Sequence, residues 1–159
     1  MVKYSRHTEL SMSFPERKNT VYLIGNIAVS LAYFMYIAQQ YMALGPAPTN
    51  DFRFWGSALL IFIPVQVVTR VIIHIIFSII NTIITQEEEP DVIDEFDKII
   101  ESKSTLIFYH VFVIGFFLSI ATVFLDMPPF VMLVMFLLTA IIAGIVGDIA
   151  RIIFYRRGV

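Results

Sequence analysis

Gln66, Arg70 and His74 stand four residues apart, so in a helix they share one face and form a polar stripe. Asp148, Arg151 and Tyr155, spaced by three and four, form a second stripe. Both interrupt long apolar runs, as do Asn26 and His110. Ionisable side chains in such a setting are costly and are functional hypotheses by default. The chemistry open to this set is limited. Asp148 can neutralise Arg70 or Arg151 while the amides and imidazoles satisfy one another, which holds helices in register. Alternatively the Arg-Asp-His cluster binds an anionic headgroup or small ligand, relays protons, or lines a pore formed by several subunits. His74 and His110 further raise a bis-histidine b-type haem, with Arg70, Arg151 and Arg156 as cations for the propionates. No other cofactor is implied. Asn26, Gln66, Arg70, His74, His110, Asp148 and Arg151 are therefore the ligand or ion candidates.

The elements that must carry these residues are membrane spans. Of 159 residues, 58% are hydrophobic and 15% charged, and the mean hydropathy is +0.80, a composition foreign to the exterior of a water-soluble domain. A span needs about 20 apolar residues. Thr20 to Leu44, Trp55 to Ile84, Thr105 to Leu125 and Phe130 to Tyr155 each meet that length. Breaker-rich Gly45-Pro46-Ala47-Pro48-Thr49-Asn50-Asp51 follows the first, and Asp126-Met127-Pro128-Pro129 follows the third. The second run exceeds a hydrocarbon core of about 30 Å and must tilt or protrude, and Pro64 within it is a candidate kink. Ser13-Phe14-Pro15-Glu16 has capping-box spacing, so the first helix can begin before its span, against the alternative of a loose terminus. The first 20 residues have no apolar core of the kind a signal peptide carries, so the first span is expected to be retained.

Between spans two and three, Glu87, Glu88, Glu89, Asp91, Asp94, Glu95, Asp97 and Glu101 oppose a single Lys98. Pro90 suits a helix first turn, the acids suit its N-terminal dipole, and Val92, Phe96, Ile99 and Ile100 supply an apolar stripe. A short amphipathic acidic helix leading into span three is expected. Its residues Asp94, Glu95, Asp97 and Glu101 are partner-contact candidates, with a solvated spacer as the plainer reading.

Lys3, Arg6, Arg17, Lys18, Lys98, Lys103, Arg156 and Arg157 fall on one side of this topology and Arg53 on the other. The positive-inside rule then puts both termini and the acidic segment in the cytoplasm of a multi-pass cell-membrane protein. The organisation read from the sequence is a cytoplasmic segment over 1–19, a transmembrane hairpin over 20–84, the acidic helix over 85–104, a second hairpin over 105–155 and a tail over 156–159. From the outer ends, Arg70 lies roughly 22 Å and Asp148 roughly 27 Å into the bilayer. A polar layer in the inner leaflet is therefore expected, with Asn26 and His110 at similar depth.

Glu16-Arg17-Lys18-Asn19-Thr20 matches Glu101-Ser102-Lys103-Ser104-Thr105 at Glu, Lys and Thr, and Val65 to His74 can be laid on Val146 to Tyr155 so that Arg70 meets Arg151. The two hairpins read either as a parallel duplication or as chance similarity of apolar segments. Ala28-x-x-x-Ala32, Ala140-x-x-x-Gly144 and Ala143-x-x-x-Gly147 permit close helix contact, within the chain or between subunits.

The stretch Asp94-Glu95-Phe96-Asp97-Lys98-Ile99-Ile100-Glu101 and the ending Tyr155-Arg156-Arg157-Gly158 resemble a family of small prokaryotic multi-helix membrane proteins of unknown function, with Phe96 where that family carries Arg. The resemblance covers roughly the second half and implies no activity.

The absence of Cys removes disulfides, thiolate chemistry and Cys-ligated metals. No nucleophile with a base, phosphate-binding Gly loop or metal-ligand spacing is present, so no enzyme activity and no metal are expected. The acidic segment would repel nucleic acid. The fold expected is an all-α integral membrane protein of four transmembrane helices. The expected role is a non-enzymatic sensor, scaffold or accessory subunit, homo-oligomeric or held in a membrane complex. The alternative is a small ion channel or transporter subunit.

Overall fold

The computed structural model describes residues 14–45, 51–85 and 95–158. Four long helices account for almost all of them, α1 (Phe14–Ala43), α2 (Asp51–Thr85), α3 (Glu95–Phe124) and α4 (Pro129–Arg157), and no strand occurs among the described residues. Each is long and apolar enough to cross a bilayer, so the chain is a multi-pass membrane protein. Every helix extends beyond the expected span at one or both ends. At the start of α1, Asn19 Nδ2 donates to the Pro15 carbonyl at 2.8 Å and Thr20 Oγ1 to the Glu16 carbonyl at 2.8 Å. Helix α2 continues through Pro64. Residues 95–104 form one uninterrupted helix with the span that follows. Within them Ile100 is buried, while Phe96 and Ile99 are exposed. Ser13, the turn at 46–50, and the acids and Pro90 of 86–94 lie outside the described residues, as does Asp94.

The turn from α3 to α4 follows from its residues. Asp126 takes a left-handed φ of 54°, a conformation Asp tolerates better than most residues. Met127 N then donates to the Thr122 carbonyl at 3.2 Å and Asp126 N to the Val123 carbonyl at 3.3 Å, the paired bonds that close a helix end. Pro128 and Pro129 cannot prolong α3, and Pro129 starts α4 where its missing N–H costs nothing. Gly158, at φ 67°, ends α4 by donating to the Phe154 carbonyl, with Arg156 and Arg157 in the last turn complementing the helix dipole.

Packing is centred on α4. Helices α1, α2 and α3 all meet it, α1 also meets α2, but α3 approaches neither α1 nor α2 at close backbone range. Near the end of α1 and the start of α2, Ile37, Trp55, Ala58, Phe62 and Leu137 form a buried apolar cluster, and Tyr33, Tyr41, Phe54 and Phe130 pack around it. Tyr33 ties α1 to α2 by donating to the Ala58 carbonyl at 2.6 Å. The α3–α4 contact closes over glycine: a Cβ at Gly115 would overlap the Thr139 side chain, and one at Gly147 would sit 3.2 Å from Phe108 Cβ. The small residues of α4 therefore serve packing within the chain. Ala143 is fully buried, whereas Ala28 and Ala32 on α1 face outward.

Unlike a water-soluble bundle, the chain combines an apolar exterior with a partly polar interior. Ile61, Val68, Ile72, Ile76 and Ile79 of α2 are exposed, while Asn26, Ser30, Ser104, Ser119 and Asp148 are buried. An apolar exterior suits hydrocarbon, which offers no hydrogen bonds, so polar side chains must find partners inside. Ser104 and Ser119 do so on their own helix, donating to Ile100 O at 2.6 Å and Gly115 O at 2.7 Å.

Candidate functional site

The buried positions of α1, Asn19, Asn26, Ser30 and Ile37, recur at spacings of seven, four and seven, the interval that keeps one helix seam against its neighbours. That seam delivers Asn26 to α4, where its Nδ2 donates to Asp148 Oδ2 at 2.8 Å. Across from it on α2, Arg70 Nη2 donates to Asp148 Oδ1 at 2.9 Å. Asp148 thus has one helix on each carboxylate oxygen. The network continues through Ser30, whose Oγ donates to Asn26 Oδ1 at 3.2 Å and accepts from Gln66 Nε2 at 2.8 Å. Five side chains from three helices form one connected polar layer.

Its two charges are unequally placed. The Asp148 side chain is 6% exposed and that of Arg70 is 50% exposed. The acid is locked in the bundle, and the guanidinium, with only one of its nitrogens engaged by Asp148, leans toward the surface. Arg151, one turn beyond Asp148 on α4, has its Nε buried without a hydrogen-bond partner.

Because α3 stays away from α2, a cavity of about 410 Å³ opens between them over the surface of α4. Phe62, Ile63, Phe108 and Ile141 line its apolar part; Arg70, Ser104, Asp148 and Arg151 line its polar part. Gly144 keeps the floor low beside Asn26, since a Cβ there would lie 3.3 Å from Asn26 Nδ2.

Asn26, Gln66, Arg70 and Asp148, four of the residues expected from the sequence, are brought together, and Arg151 joins them at the cavity. His74 and His110 stand outside. Both are exposed, neither lines the cavity, and His110 Nδ1 lies 2.6 Å from the carbonyl of Leu106 on its own helix. Tyr155 belongs to a different contact: its hydroxyl donates to Asp97 Oδ1 at 2.7 Å, and its ring meets Phe96 edge-on with centroids 6.4 Å apart. Asp97, expected as a partner contact, is therefore occupied within the chain. Glu95 and Glu101 are exposed. Arg156 approaches Glu16 at 3.9 Å, and Phe14 meets Phe77 with centroids 5.6 Å apart, so the start of α1, the end of α2, the start of α3 and the end of α4 lie together. Ser30 and Ser104 had not been expected. The signal for Ser30 was its position four residues after Asn26; Ser104 carried none beyond being a hydroxyl just before the expected start of a span. No group of acidic or histidine side chains suited to a metal occurs among the described residues.

No model of a known protein family matches the chain, and neither the curated proteins nor the solved structures contain a match.

Proposed function

We propose that this chain is a non-enzymatic membrane sensor, scaffold or accessory subunit, working as a homo-oligomer or within a membrane complex, with the polar layer as its recognition element. The observation supporting this is how Asp148 is held. Both oxygens are engaged, by a neutral amide and a permanent cation, so the carboxylate is held in one position. A rigid acid bound by one guanidinium and sharing its cavity with a second suits recognition. The channel or transporter alternative needs a continuous polar path. The cavity instead lies beside the bundle, between α2 and α3.

Flux measurements test the choice. Liposomes containing the purified chain alone should stay tight to ions, and native mass spectrometry from mild detergent should report a defined oligomer or a co-purifying subunit. Ion leakage abolished by Asp148→Asn would overturn the reading in favour of a channel.

The distribution of Lys and Arg supports a cytoplasmic location for both termini and for the segment between the two hairpins, which contains Asp94, Glu95, Asp97 and Glu101. The exposed Glu95 and Glu101 there suit contact with a partner. The chain has no native Cys, so single cysteines report topology cleanly. An impermeant maleimide should label Ser102→Cys only from the cytoplasmic side and Phe52→Cys only from the opposite one. Reversed labelling would overturn the orientation.

A further inference from the structure

We infer that the cavity between α2 and α3 is a lateral site for an anionic phospholipid, with one acyl chain between the helices and the phosphate on Arg70 and Arg151. This rests on the membrane reading above and names the ligand class of its recognition element.

The position of the cavity decides what can reach it. Ile63, Val67 and Arg70 on one wall and Thr105 and Phe108 on the other are exposed, so in a bilayer the cavity opens sideways into lipid. Its volume of about 410 Å³ falls within the range of about 300–1,000 Å³ usual for small-molecule sites. The lining changes character with depth. Phe62 lies roughly 10 Å from the far end of its span, Arg70 roughly 22 Å, and Arg151, on α4, roughly 31 Å from the corresponding end, by 1.5 Å per residue. In a hydrocarbon core about 30 Å thick, the apolar part straddles the midplane and Arg151 stands at the headgroup boundary. A molecule matching this profile has an apolar chain about one leaflet long and a charged group at its end.

The sign of that charge follows from the side chains. Among the residues lining the cavity, Arg70 and Arg151 contribute two positive charges and Asp148 one negative, so the lining itself carries a net positive charge. Arg151 lines the cavity, and its Nε, enclosed by the chain, makes no hydrogen bond there, so a ligand in the cavity has to bring an acceptor to the rest of the guanidinium. A phosphate oxygen is a suitable acceptor, since guanidinium and phosphate match in geometry and charge. A second protein helix is a poorer occupant, because it would have to bring its own carboxylate into the membrane. An anionic lipid carries the charge at the correct depth and surrounds the protein already.

Thermal unfolding in mild detergent, with native mass spectrometry of the same samples, tests this with dioleoyl phosphatidylglycerol, dioleoyl phosphatidylcholine and inorganic phosphate as probes. Phosphatidylglycerol should raise the midpoint and remain bound at one molecule per protomer; the other two should not. Arg151→Gln should weaken phosphatidylglycerol binding about tenfold, or about 1.4 kcal/mol. Val67→Trp, which fills the exposed wall without touching a charge, should abolish retention; it serves as the second probe if Arg151→Gln does not fold. Equal effects of the two lipids would overturn the site. So would a shift reproduced by inorganic phosphate alone, full retention in either variant, or a protein dimer that forms in place of lipid binding and is broken by Val67→Trp. None of these outcomes alters ion tightness of the liposomes, so failure here is distinguishable from failure of the sensor or scaffold reading.

Discussion

Asn26 and Asp148 are 122 residues apart in the chain and 2.8 Å apart in space. The amide is the only link in the polar layer through which α1 reaches α4, and it also accepts the hydrogen bond from Ser30. Loss of either partner therefore releases more than one bond.

Asn26→Leu removes the donor to Asp148 and the acceptor for Ser30 and puts an apolar side chain of similar shape in their place. Hydrogen bonds between membrane helices average about 0.6 kcal/mol and reach about 1.7, and bonds to charged groups lie at the upper end of such scales. A loss of about 1–2 kcal/mol is expected in denaturant unfolding from detergent micelles. An unchanged midpoint would show that Arg70 alone suffices to hold the acid.

Much of this layer was legible in the sequence because depth along a helix is arithmetic. Counting residues places Arg70, Asp148 and Asn26 at one level, and they meet. Direction around a helix is harder to read. Each step of four residues advances about 40° beyond a full turn, since a turn takes about 3.6 residues, so His74 is rotated about 80° from Gln66. The stripe that starts toward Asp148 has left it by His74, which is exposed. His110 departs for another reason: α3 meets only α4, so most directions on that helix face outward, and apolar periodicity cannot show which helices are neighbours. The cavity was illegible for the same reason, since it exists because α2 and α3 do not meet.

Two glycines inside helices, one crowded and one with room, should respond oppositely to alanine. At Gly115 a Cβ would overlap Thr139, whereas at Gly56 the nearest atom is Leu133 Cδ1 at 3.9 Å. Alanine gains up to about 1 kcal/mol in helix propensity over glycine, but forced overpacking costs about 1–3 kcal/mol. Gly56→Ala should raise the melting midpoint or leave it unchanged, and Gly115→Ala should lower it. A matching response at both sites would mean that α3 and α4 are free to separate.

Tyr155 and Asp97 fasten the start of α3 to the end of α4. Tyr155→Phe keeps the ring beside Phe96 and removes only the hydroxyl, a loss of about 1 kcal/mol for one hydrogen bond. Hydrogen exchange should quicken over residues 95–103 and stay unchanged over residues 130–150. Uniform acceleration would indicate global destabilisation instead, and no change would show that the aromatic contact holds this end by itself.

Arg70 and Asp148 should prove unequal partners. Asp148 is 6% exposed, so when Arg70→Met removes the cation bonded to it the carboxylate is left nearly buried with Asn26 as its remaining partner. Removing one member of a buried pair costs about 3–5 kcal/mol. Arg70 is half exposed, so in Asp148→Asn its long side chain is free to reach the headgroups, and the new amide still accepts from Asn26. That variant should lose only about 1 kcal/mol, the order of one net hydrogen bond. Combining the two removes the stranded charge, so the double variant should be more stable than Arg70→Met alone. A double-mutant cycle on detergent unfolding reads all three terms. Equal losses in the two single variants would mean that the guanidinium is as firmly buried as the acid, and an additive double variant would mean that their 2.9 Å contact contributes nothing to stability.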